Sequence, residues 1–322
     1  MPMRSVTVFA PATVANVGSA FDVLGFAIES PGDRVTVRRA PHPGVTITEI
    51  TGDEGALSKE PSANTAGVSV LALLKHLEFR HSDTIRGVGI EISLEKGLPI
   101  GSGLGSSSAS TVAAVVATNE LLGTPLSREE LLPFAMEGER VACGAAHADN
   151  VAPALLGGFV LIRSYEPLDV VHLPTPSHAW VTVLSPHLEL RTQDARKVLK
   201  RSVSLESAIS QWGNVAALVA GIYKNDVALM GRALEDKIVE PERAQLIPGY
   251  AAAKEAALSA GAAGCSISGS GPSVFALTES KDTATRVGAA MRDAFAALDI
   301  ASHTYVSQVN SSGAVVTHKE SL

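Results

Sequence analysis

A glycine- and serine-rich segment, PIGSGLGSSSAS at residues 99–110, is the part of the chain best suited to hold a ligand. It directly follows a predicted strand at 88–94 and directly precedes a predicted helix at 106–122. Glycines let a backbone approach a ligand closely, and the free N–H groups of a loop and of a first helical turn attract anions, helped by the helix dipole. The pattern therefore predicts a phosphate-binding loop.

Two other phosphate-binding patterns fit this segment less well. A Rossmann loop needs GxGxxG and an acidic residue after a second strand, whereas Gly101, Gly103 and Gly105 give GxGxG, and Glu120 lies inside the predicted helix. A Walker A loop needs a lysine before Ser or Thr, and no lysine follows Gly105. A helix start with flexible glycines and no ligand remains the structural alternative.

The elements around this loop are mixed in type. Alternating polar and apolar residues at 33–39 and 45–50 predict half-buried strands, so the N-terminal part is rich in sheet. Apolar residues at helical spacing predict a helix at 64–79. Past residue 157 the sequence predicts, in chain order, strand-like runs near 157–163 and 179–186, helical patterns at 193–237 and 249–261, a strand at 274–278, a helix at 286–298 and an extended segment at 303–309. The sequence predicts a mixed α/β protein with a βαβ-like second half.

Composition narrows the class of function. The 322 residues suffice for two domains, and 46% hydrophobic but only 4% aromatic residues predict a core of small aliphatic side chains. A net charge of -7 and few aromatic residues disfavour nucleic acid, including an RNA-binding module, and anionic membranes. No secretory leader and no stretch long enough to span a bilayer is evident, which predicts a cytoplasmic protein. The two cysteines lack CxxC spacing, which disfavours a disulfide framework or a zinc site.

Three motifs together resemble those of the GHMP kinases, which phosphorylate small molecules such as galactose, homoserine, mevalonate and phosphomevalonate. They occur in the family's order: PATVANVGSAFDVLGFAI at 11–28, PIGSGLGSSSAS at 99–110 and GCSISGSGPSVFAL at 264–277. The resemblance implies an α+β, two-domain GHMP kinase fold. Residues 1–170 would form a nucleotide-binding domain like domain 2 of ribosomal protein S5, and residues 171–322 a ferredoxin-like domain.

The resemblance also implies the cofactors ATP and Mg²⁺. The residues expected at the nucleotide are Asn64, Lys96, Pro99, Gly101, Ser102, Gly103, Leu104, Gly105, Ser106, Ser107 and Ser108. Asn64 has a helix N-cap, and Lys96 a surface lysine, as its ordinary alternative. Ser107 and Glu139 are the expected Mg²⁺ ligands, with Glu137 as the competing carboxylate.

The acceptor molecule is expected to bind in a polar pocket. By resemblance its residues are Asn16, Asp22, His147, Asp149, Asn150, Thr192, Arg196, Arg243, Gly269 and Ser270. Carboxylates suit an ammonium group and guanidinium forks suit a carboxylate, so the resemblance implies an amino-acid acceptor, L-homoserine, rather than mevalonate or galactose. Arg191 and Arg201 are alternatives to Arg196. Another GHMP acceptor, or an inactive ligand sensor with this fold, is the alternative function.

The residues expected to act in catalysis are Ser107, Glu139, Asn150 and Arg196. Asn150 stands where many relatives carry an aspartate, and a carboxamide cannot act as a general base. We therefore expect positioning and Mg²⁺ electrostatics to supply most of the acceleration, with the proton leaving late. The resemblance further implies a homodimer, and threonine is expected to compete with homoserine without reacting.

Overall fold

The computed structural model describes residues 3–80, 87–144 and 147–321, which form two layered units of helix and sheet. Each unit has one sheet with helices packed on it. The predicted α+β class is confirmed.

The first sheet contains seven strands within the described residues. They are β1 (Met3–Val17), β2 (Ala20–Ala40), β3 (Gly44–Thr51), β4 (Gly89–Glu95), β5 (Phe159–Tyr165), β6 (Leu168–Leu173) and β11 (Val315–Ser321). The order is β11-β1-β2-β4-β3, and β5 pairs with both β2 and β6. Val35 and Val37 are buried while Arg34 and Arg38 are exposed, as the alternation in the sequence predicts.

In the part of the chain that the structure describes, four helices cover this sheet. They are α1 (Thr65–Arg80), α2 (Ser106–Leu121), α3 (Arg128–Cys143) and α4 (Ala148–Leu156). α2 lies against β1 and β2 and is flanked by the other three helices, so nearly all of its residues are buried. Its Ser, Ala, Thr and Val side chains are small enough for neighbours to approach from every side. This burial fixes the position of the N-terminus of α2, to which the glycine–serine loop leads.

The second sheet is antiparallel, with the order β10-β7-β9-β8. Its strands are β7 (Trp180–Pro186), β8 (Gly264–Ile267), β9 (Val274–Thr278) and β10 (Ser302–Gln308). The helices of this unit are α5 (Thr192–Lys197), α6 (Leu205–Lys224), α7 (Val227–Ala233), α8 (Glu240–Arg243), α9 (Tyr250–Ser259) and α10 (Lys281–Ala296). Short 3₁₀ helices span Pro61–Ala63 and Ala244–Leu246. The strand order and the position of the helices are those of a split βαβ, ferredoxin-like unit.

Several boundaries differ from the sequence prediction. The helical pattern at 193–237 is three helices rather than one, because Asn225 ends α6 in a left-handed conformation and Asp226 caps α7. α10 starts at Lys281, not 286, because Ser280 caps it. The short β8 and the largely exposed β11 were not predicted.

The domain boundary predicted at residue 170 stays a prediction. β6 runs across this position, and β11 pairs with β1 in the first sheet rather than with the second sheet. No helix among the described residues is long and apolar enough to cross a bilayer.

Candidate active site

Three segments far apart in sequence meet between the two sheets. They are the first-motif turn (residues 15–22), the glycine–serine loop (99–105) and the third-motif loop (268–273). Ser268 Oγ donates to the Gly103 carbonyl at 2.8 Å. Gly269 N donates to the Ala15 carbonyl at 3.0 Å, and Asn16 Nδ2 donates to the Gly269 carbonyl at 2.9 Å. The three motifs of the sequence thus form one site.

The glycine–serine loop requires its glycines. Gly101, Gly103 and Gly105 have φ angles of +68°, +78° and +66°, which other residues rarely adopt. A Cβ on Gly103 would lie 2.5 Å from the Ser268 carbonyl oxygen and 2.8 Å from that of Gly271. The loop therefore packs against the third-motif loop with no space for a side chain.

The N-terminus of α2 has no side-chain cap. Its N-cap residue is Gly105, which offers no side-chain acceptor. The helices α3, α6, α7 and α10 are capped by the side chains of Ser127, Ser204, Asp226 and Ser280. The N–H groups in the first turn of α2 are therefore suited to an anionic ligand.

The serines of this segment divide into two kinds. Ser102 Oγ donates to the Pro99 carbonyl at 2.8 Å and Ser106 Oγ to the Leu98 carbonyl at 3.2 Å, so both stabilise the loop. The Ser108 hydroxyl is buried and has no hydrogen-bond partner among the residues that the structure describes. A polar ligand at the start of α2 would satisfy such a group.

Lys96 lies at the entrance of the loop, but its ammonium group points into the protein. It forms a buried ion pair with Asp33 and donates to the Ser106 carbonyl at 2.9 Å and to Ser110 Oγ at 2.8 Å. All three ammonium hydrogens are thereby used. Lys96 is neither a surface lysine nor placed for direct phosphate contact, so the geometry favours an indirect role.

Asn64 is the N-cap residue of α1. Its Oδ1 accepts from Ala66 N at 3.0 Å, and its Nδ2 donates to the Ser58 carbonyl at 2.8 Å. Asn64 therefore has the ordinary structural role of a helix N-cap residue. Contact with the nucleotide stays a prediction for Asn64.

Of the two competing carboxylates, Glu139 is the one that lies near the loop. Glu139 is buried on α3, and its charge acts on both Lys96 and Asp149, so it lies near the base of the loop and near the polar pocket. Glu137 is exposed and pairs with Arg140 at 3.2 Å. Mg²⁺ commonly takes one or two protein oxygens together with phosphate oxygens. A carboxylate at Glu139 and a hydroxyl at Ser107, in the first turn of α2, are oxygens of the kind that Mg²⁺ prefers.

A charged pocket, defined by Asp22, His147, Asp149, Arg196 and Arg243, lies beside the first-motif turn. Arg196 Nη2 donates to Asp22 Oδ1 at 2.6 Å and lies 3.5 Å from His147 Nδ1. Asp22 has a φ of +60°, and its backbone N–H donates to Asn16 Oδ1 at 2.8 Å. The turn thus holds the Asp22 carboxylate opposite the guanidinium carried by α5.

Arg243 is almost completely buried at the end of α8. It donates to the Gly269 carbonyl at 2.9 Å and to the Ala195 carbonyl at 3.3 Å. The guanidinium carbons of Arg243 and Arg196 lie 4.9 Å and 5.3 Å from the centre of the Phe21 ring. Burial, followed by the charge of Arg196, lowers the pKa of Arg243 to about 10. An anionic group between the two guanidinium groups would offset this penalty.

The alternatives to Arg196 lie outside this pocket. Arg191 is exposed and pairs with Glu189 at 3.5 Å. Arg201 is exposed as well. The position of Arg196 beside Asp22 and His147 therefore favours it over both.

Asp149 and His147 have shifted pKa values. Burial, reinforced by the negative charge of Asp22, raises the pKa of Asp149 to about 7. Burial and the charge of Arg196 lower the pKa of His147, so this ring is neutral near pH 7. Its Nε2 is buried with no hydrogen-bond partner among the described residues.

The remaining predicted residues lie at the junction of the motifs. Asn150 Oδ1 accepts from Thr13 Oγ1 at 2.7 Å, and a Cβ on Gly105 would lie 3.0 Å from the same oxygen. Thr192 Oγ1 and Ser270 Oγ are 3.3 Å apart. Asn150 therefore connects α4 to β1 beside the end of the glycine–serine loop.

Sequence reasoning missed four residues that contribute to this site. Phe21 lies beside both arginines, Tyr165 Oη donates to the Asp22 carbonyl at 3.1 Å, and Thr13 holds Asn150. Asp33 pairs with Lys96. Phe21 and Thr13 belong to the first motif, so a closer examination of that motif would have found them. Asp33 and Tyr165 lie on strands and have no local signal.

Comparison with known proteins agrees with this geometry. Residues 67–158 match the GHMP kinases N terminal domain, and residues 218–297 match the GHMP kinases C terminal model. A homoserine kinase of Chlorobium phaeobacteroides is 53% identical over 321 residues, covering 98% of this chain and 100% of the relative. A homoserine kinase of Chlorobaculum tepidum is 52% identical over 321 residues, covering 97% and 98%.

A solved structure is also similar along nearly the whole chain. The crystal structure of homoserine kinase from Cytophaga hutchinsonii has a TM-score of 0.92 and 55% identity, and covers 97% of each chain. The predicted two-domain kinase fold is thereby confirmed. The chain belongs to the GHMP kinase family and, within that family, groups with the homoserine kinases.

Proposed function

We propose that this kinase transfers the γ-phosphoryl group of ATP to the side-chain hydroxyl of L-homoserine, giving O-phospho-L-homoserine for threonine biosynthesis. The observation that carries the proposal is the charged pocket, in which two arginines and two aspartates lie beside the predicted phosphate-binding loop. The homoserine kinases to which the chain is similar support the same acceptor.

The charge balance of the pocket favours a zwitterion. Arg196 and Arg243 supply two positive charges, and Asp22 and Asp149 supply up to two negative charges, while His147 is neutral. A free amino acid offers a carboxylate for the guanidinium groups and an ammonium group for the carboxylates. Mevalonate lacks the ammonium group and galactose lacks both charges, so each would leave charged groups of the pocket without partners.

The reaction needs positioning more than proton transfer. We assign the backbone N–H groups at the start of α2 to the triphosphate, and Ser107 and Glu139 to Mg²⁺. Bound there with the triphosphate, Mg²⁺ would neutralise the charge that spreads over the transferred phosphoryl group. Asn150, held by Thr13, orients groups at the junction and takes no proton.

Turnover of ATP with a panel of acceptors tests this proposal. L-homoserine should be phosphorylated with the highest kcat/KM, ahead of mevalonate, galactose and 4-hydroxybutyrate, an analogue of homoserine without its amine. Efficient phosphorylation of mevalonate or galactose would assign a different acceptor. Tight binding of homoserine without turnover would instead indicate a sensor.

Threonine keeps the amino-acid end of homoserine but carries its hydroxyl on a different carbon. We expect threonine to compete with homoserine without being phosphorylated. Inhibition that is non-competitive with homoserine would contradict binding at this pocket. The cytoplasm, where ATP is available, stays the predicted location.

A homodimer is part of the proposal and has a surface that suits it. Leu205, Ile209 and Trp212 are exposed at the spacing of one face of α6, and Tyr223 continues this face. No charged residue occurs between Glu206 and Lys224. An exposed apolar helix face of this length is typical of a protein interface. We assign the α6 face to contact with a second copy of the chain.

A further inference from the structure

A buried ion pair lies behind the glycine–serine loop, away from the charged pocket. Asp33 is on β2 and Lys96 follows β4, and their side chains are 1% and 2% exposed. Neither residue has a role in the charged pocket. A buried ion pair is expensive unless its partners satisfy one another fully, so its position needs an explanation.

Every polar atom of the pair is used. Asp33 Oδ1 accepts from Gly97 N at 3.0 Å and from Leu98 N at 3.2 Å. Asp33 Oδ2 accepts from Lys96 Nζ and from Ser110 Oγ at 2.7 Å. The single carboxylate thus accepts four hydrogen bonds.

These bonds reach both ends of the loop. Gly97 and Leu98 lead into it, whereas Ser110 lies one turn into α2, where the loop ends. Lys96 adds a bond to the Ser106 carbonyl at 2.9 Å, at the first residue of α2. Asp33 is therefore the common point to which the entrance and the exit of the loop are tied.

The loop needs such a constraint because its own residues do little to hold it in one conformation. Three of its seven residues are glycines at positive φ, and glycine loses more conformational freedom on ordering than any other residue. Its side chains make few alternative anchors, since the Ser102 hydroxyl donates to the Pro99 carbonyl within the loop itself. Fixing both ends limits the conformations that the loop can sample.

We propose that Asp33 is a positioning residue for the nucleotide, acting through Lys96, Ser110 and the backbone of residues 97–98 rather than by touching ATP. The inference rests on the proposed assignment of this loop to the triphosphate. Burial lowers the pKa of Lys96, and the Asp33 carboxylate opposes this shift.

Asp33→Asn tests the proposal, since it retains the shape of the side chain and removes its charge. We expect the KM for ATP to rise by roughly 10- to 100-fold, and the KM for homoserine to stay within about twofold. Ser110→Ala, which removes one bond of the four, should change the same constant in the same direction by less. This second variant keeps the test open if Asp33→Asn does not fold.

Thr182→Val is the matched control for lost stability. Thr182 is buried on β7 in the second sheet and donates to the Ala284 carbonyl at 2.7 Å. Its loss should lower the melting temperature without a selective change in the KM for ATP.

Two results would overturn the positioning role. In the first, Asp33→Asn and Ser110→Ala lower the melting temperature but leave the KM for ATP unchanged. In the second, the two KM values rise equally. Ser107→Ala separates this failure from that of the loop assignment. If Ser107→Ala also leaves ATP kinetics unchanged, the start of α2 does not hold ATP with its Mg²⁺; if it impairs them and Asp33→Asn does not, only the positioning role is wrong.

Discussion

At the scale of single residues, Asp22 and Arg196 form an ion pair inside the pocket assigned to the acceptor. A zwitterionic ligand can exchange with this pair, since its carboxylate replaces Asp22 as the partner of Arg196 and its ammonium group replaces Arg196 as the partner of Asp22. Neither residue then loses a charged partner on binding. A ligand with one charge leaves either Asp22 or Arg196 with a desolvated charge, which disfavours it.

Arg196→Leu should raise the KM for homoserine by roughly 10- to 100-fold and change the KM for ATP little, because each lost charge-assisted bond is worth about 1.5 to 3 kcal/mol. Steady-state kinetics with each substrate varied in turn would measure this. Arg191→Leu is the matched control, because Arg191 is exposed five residues away and pairs with Glu189. Equal effects of Arg196→Leu on both substrates would reject its assignment to the acceptor.

Because of Asp149, the stability of the protein should fall as pH rises, whereas its binding of homoserine should improve. Its pKa is raised from 3.8 to about 7 by burial and by Asp22, so the folded protein binds its proton more tightly than the unfolded chain does. The charge therefore destabilises the native state as pH rises from about 4 through 7, and this penalty is complete above 7. Asp149→Asn should raise the melting temperature at pH 8 and raise it less at pH 5.

The KM for homoserine in the unmodified protein should rise as pH falls below about 7, because the protonated carboxyl no longer attracts an ammonium group. This dependence should disappear in Asp149→Asn. Asp293→Asn, at an exposed carboxylate of α10, is the control for both measurements. A melting temperature for Asp149→Asn that is lower at pH 8 would show that the buried carboxylate stabilises the fold.

At the scale of elements, the packing of the glycine–serine loop on the third-motif loop separates two kinds of glycine. Gly101 and Gly103 both have positive φ, but a Cβ on Gly101 would meet no atom within 4 Å, whereas one on Gly103 would meet two carbonyl oxygens. The two positions differ in their neighbours, not in their backbone requirement. They therefore offer a matched pair of variants.

Gly101→Ala should cost about 1 to 2 kcal/mol of stability, from its backbone conformation alone. Gly103→Ala should cost more, about 2 to 5 kcal/mol, because the loops must also move apart. Since this movement displaces the start of α2, we expect Gly103→Ala to lose far more of kcat/KM for ATP than Gly101→Ala. Chemical denaturation and ATP kinetics would measure both effects. Similar losses in the two variants would show that contact between the loops is unimportant for ATP.

At the scale of the whole molecule, backbone hydrogen bonds hold the segment between the two sheets in place, in addition to the chain that crosses from one sheet to the other. β10 belongs to the second sheet and β11 to the first, and the segment between them bonds to residues of the first unit. Asn310 N donates to the Ala27 carbonyl at 2.9 Å, and Gly158 N donates to the Asn310 carbonyl. These bonds fix the orientation of the two units around the site.

The α6 face should govern association of two copies. Trp212, 63% exposed, lies on this face, so Trp212→Glu would place a charge in the proposed interface and shift the protein from dimer to monomer. Analytical ultracentrifugation would measure the change. Leu258→Glu, at an exposed apolar residue of α9, is the control and should leave the mass unchanged. A monomer before mutation, or a dimer in both variants, would remove the α6 face from the proposal.

How much of this molecule the sequence predicts depends on how far apart in the chain the interacting residues lie. Local signals predicted the strand around Val35 and the loop with its following helix, because alternation and glycine content depend on near neighbours in the chain. The order of three motifs predicted the family. Asp33 was missed because its partner is 63 residues away, and a strand that begins with an acidic residue appears ordinary.

The strand β11 was missed for a related reason. Most of its residues are exposed, so it has no apolar pattern. It pairs through backbone hydrogen bonds with β1, which lies at the other end of the sequence. Hydrophobic periodicity carries no information about such a partner.

The pairing of β11 with β1 has a consequence for how the protein is made on the ribosome. Val8 and Val316, which pair, are about 300 residues apart, so the outer edge of β1 emerges long before the strand that covers it. An open strand edge on a nascent chain invites pairing with other chains. The first unit therefore completes its sheet only after the second has been translated.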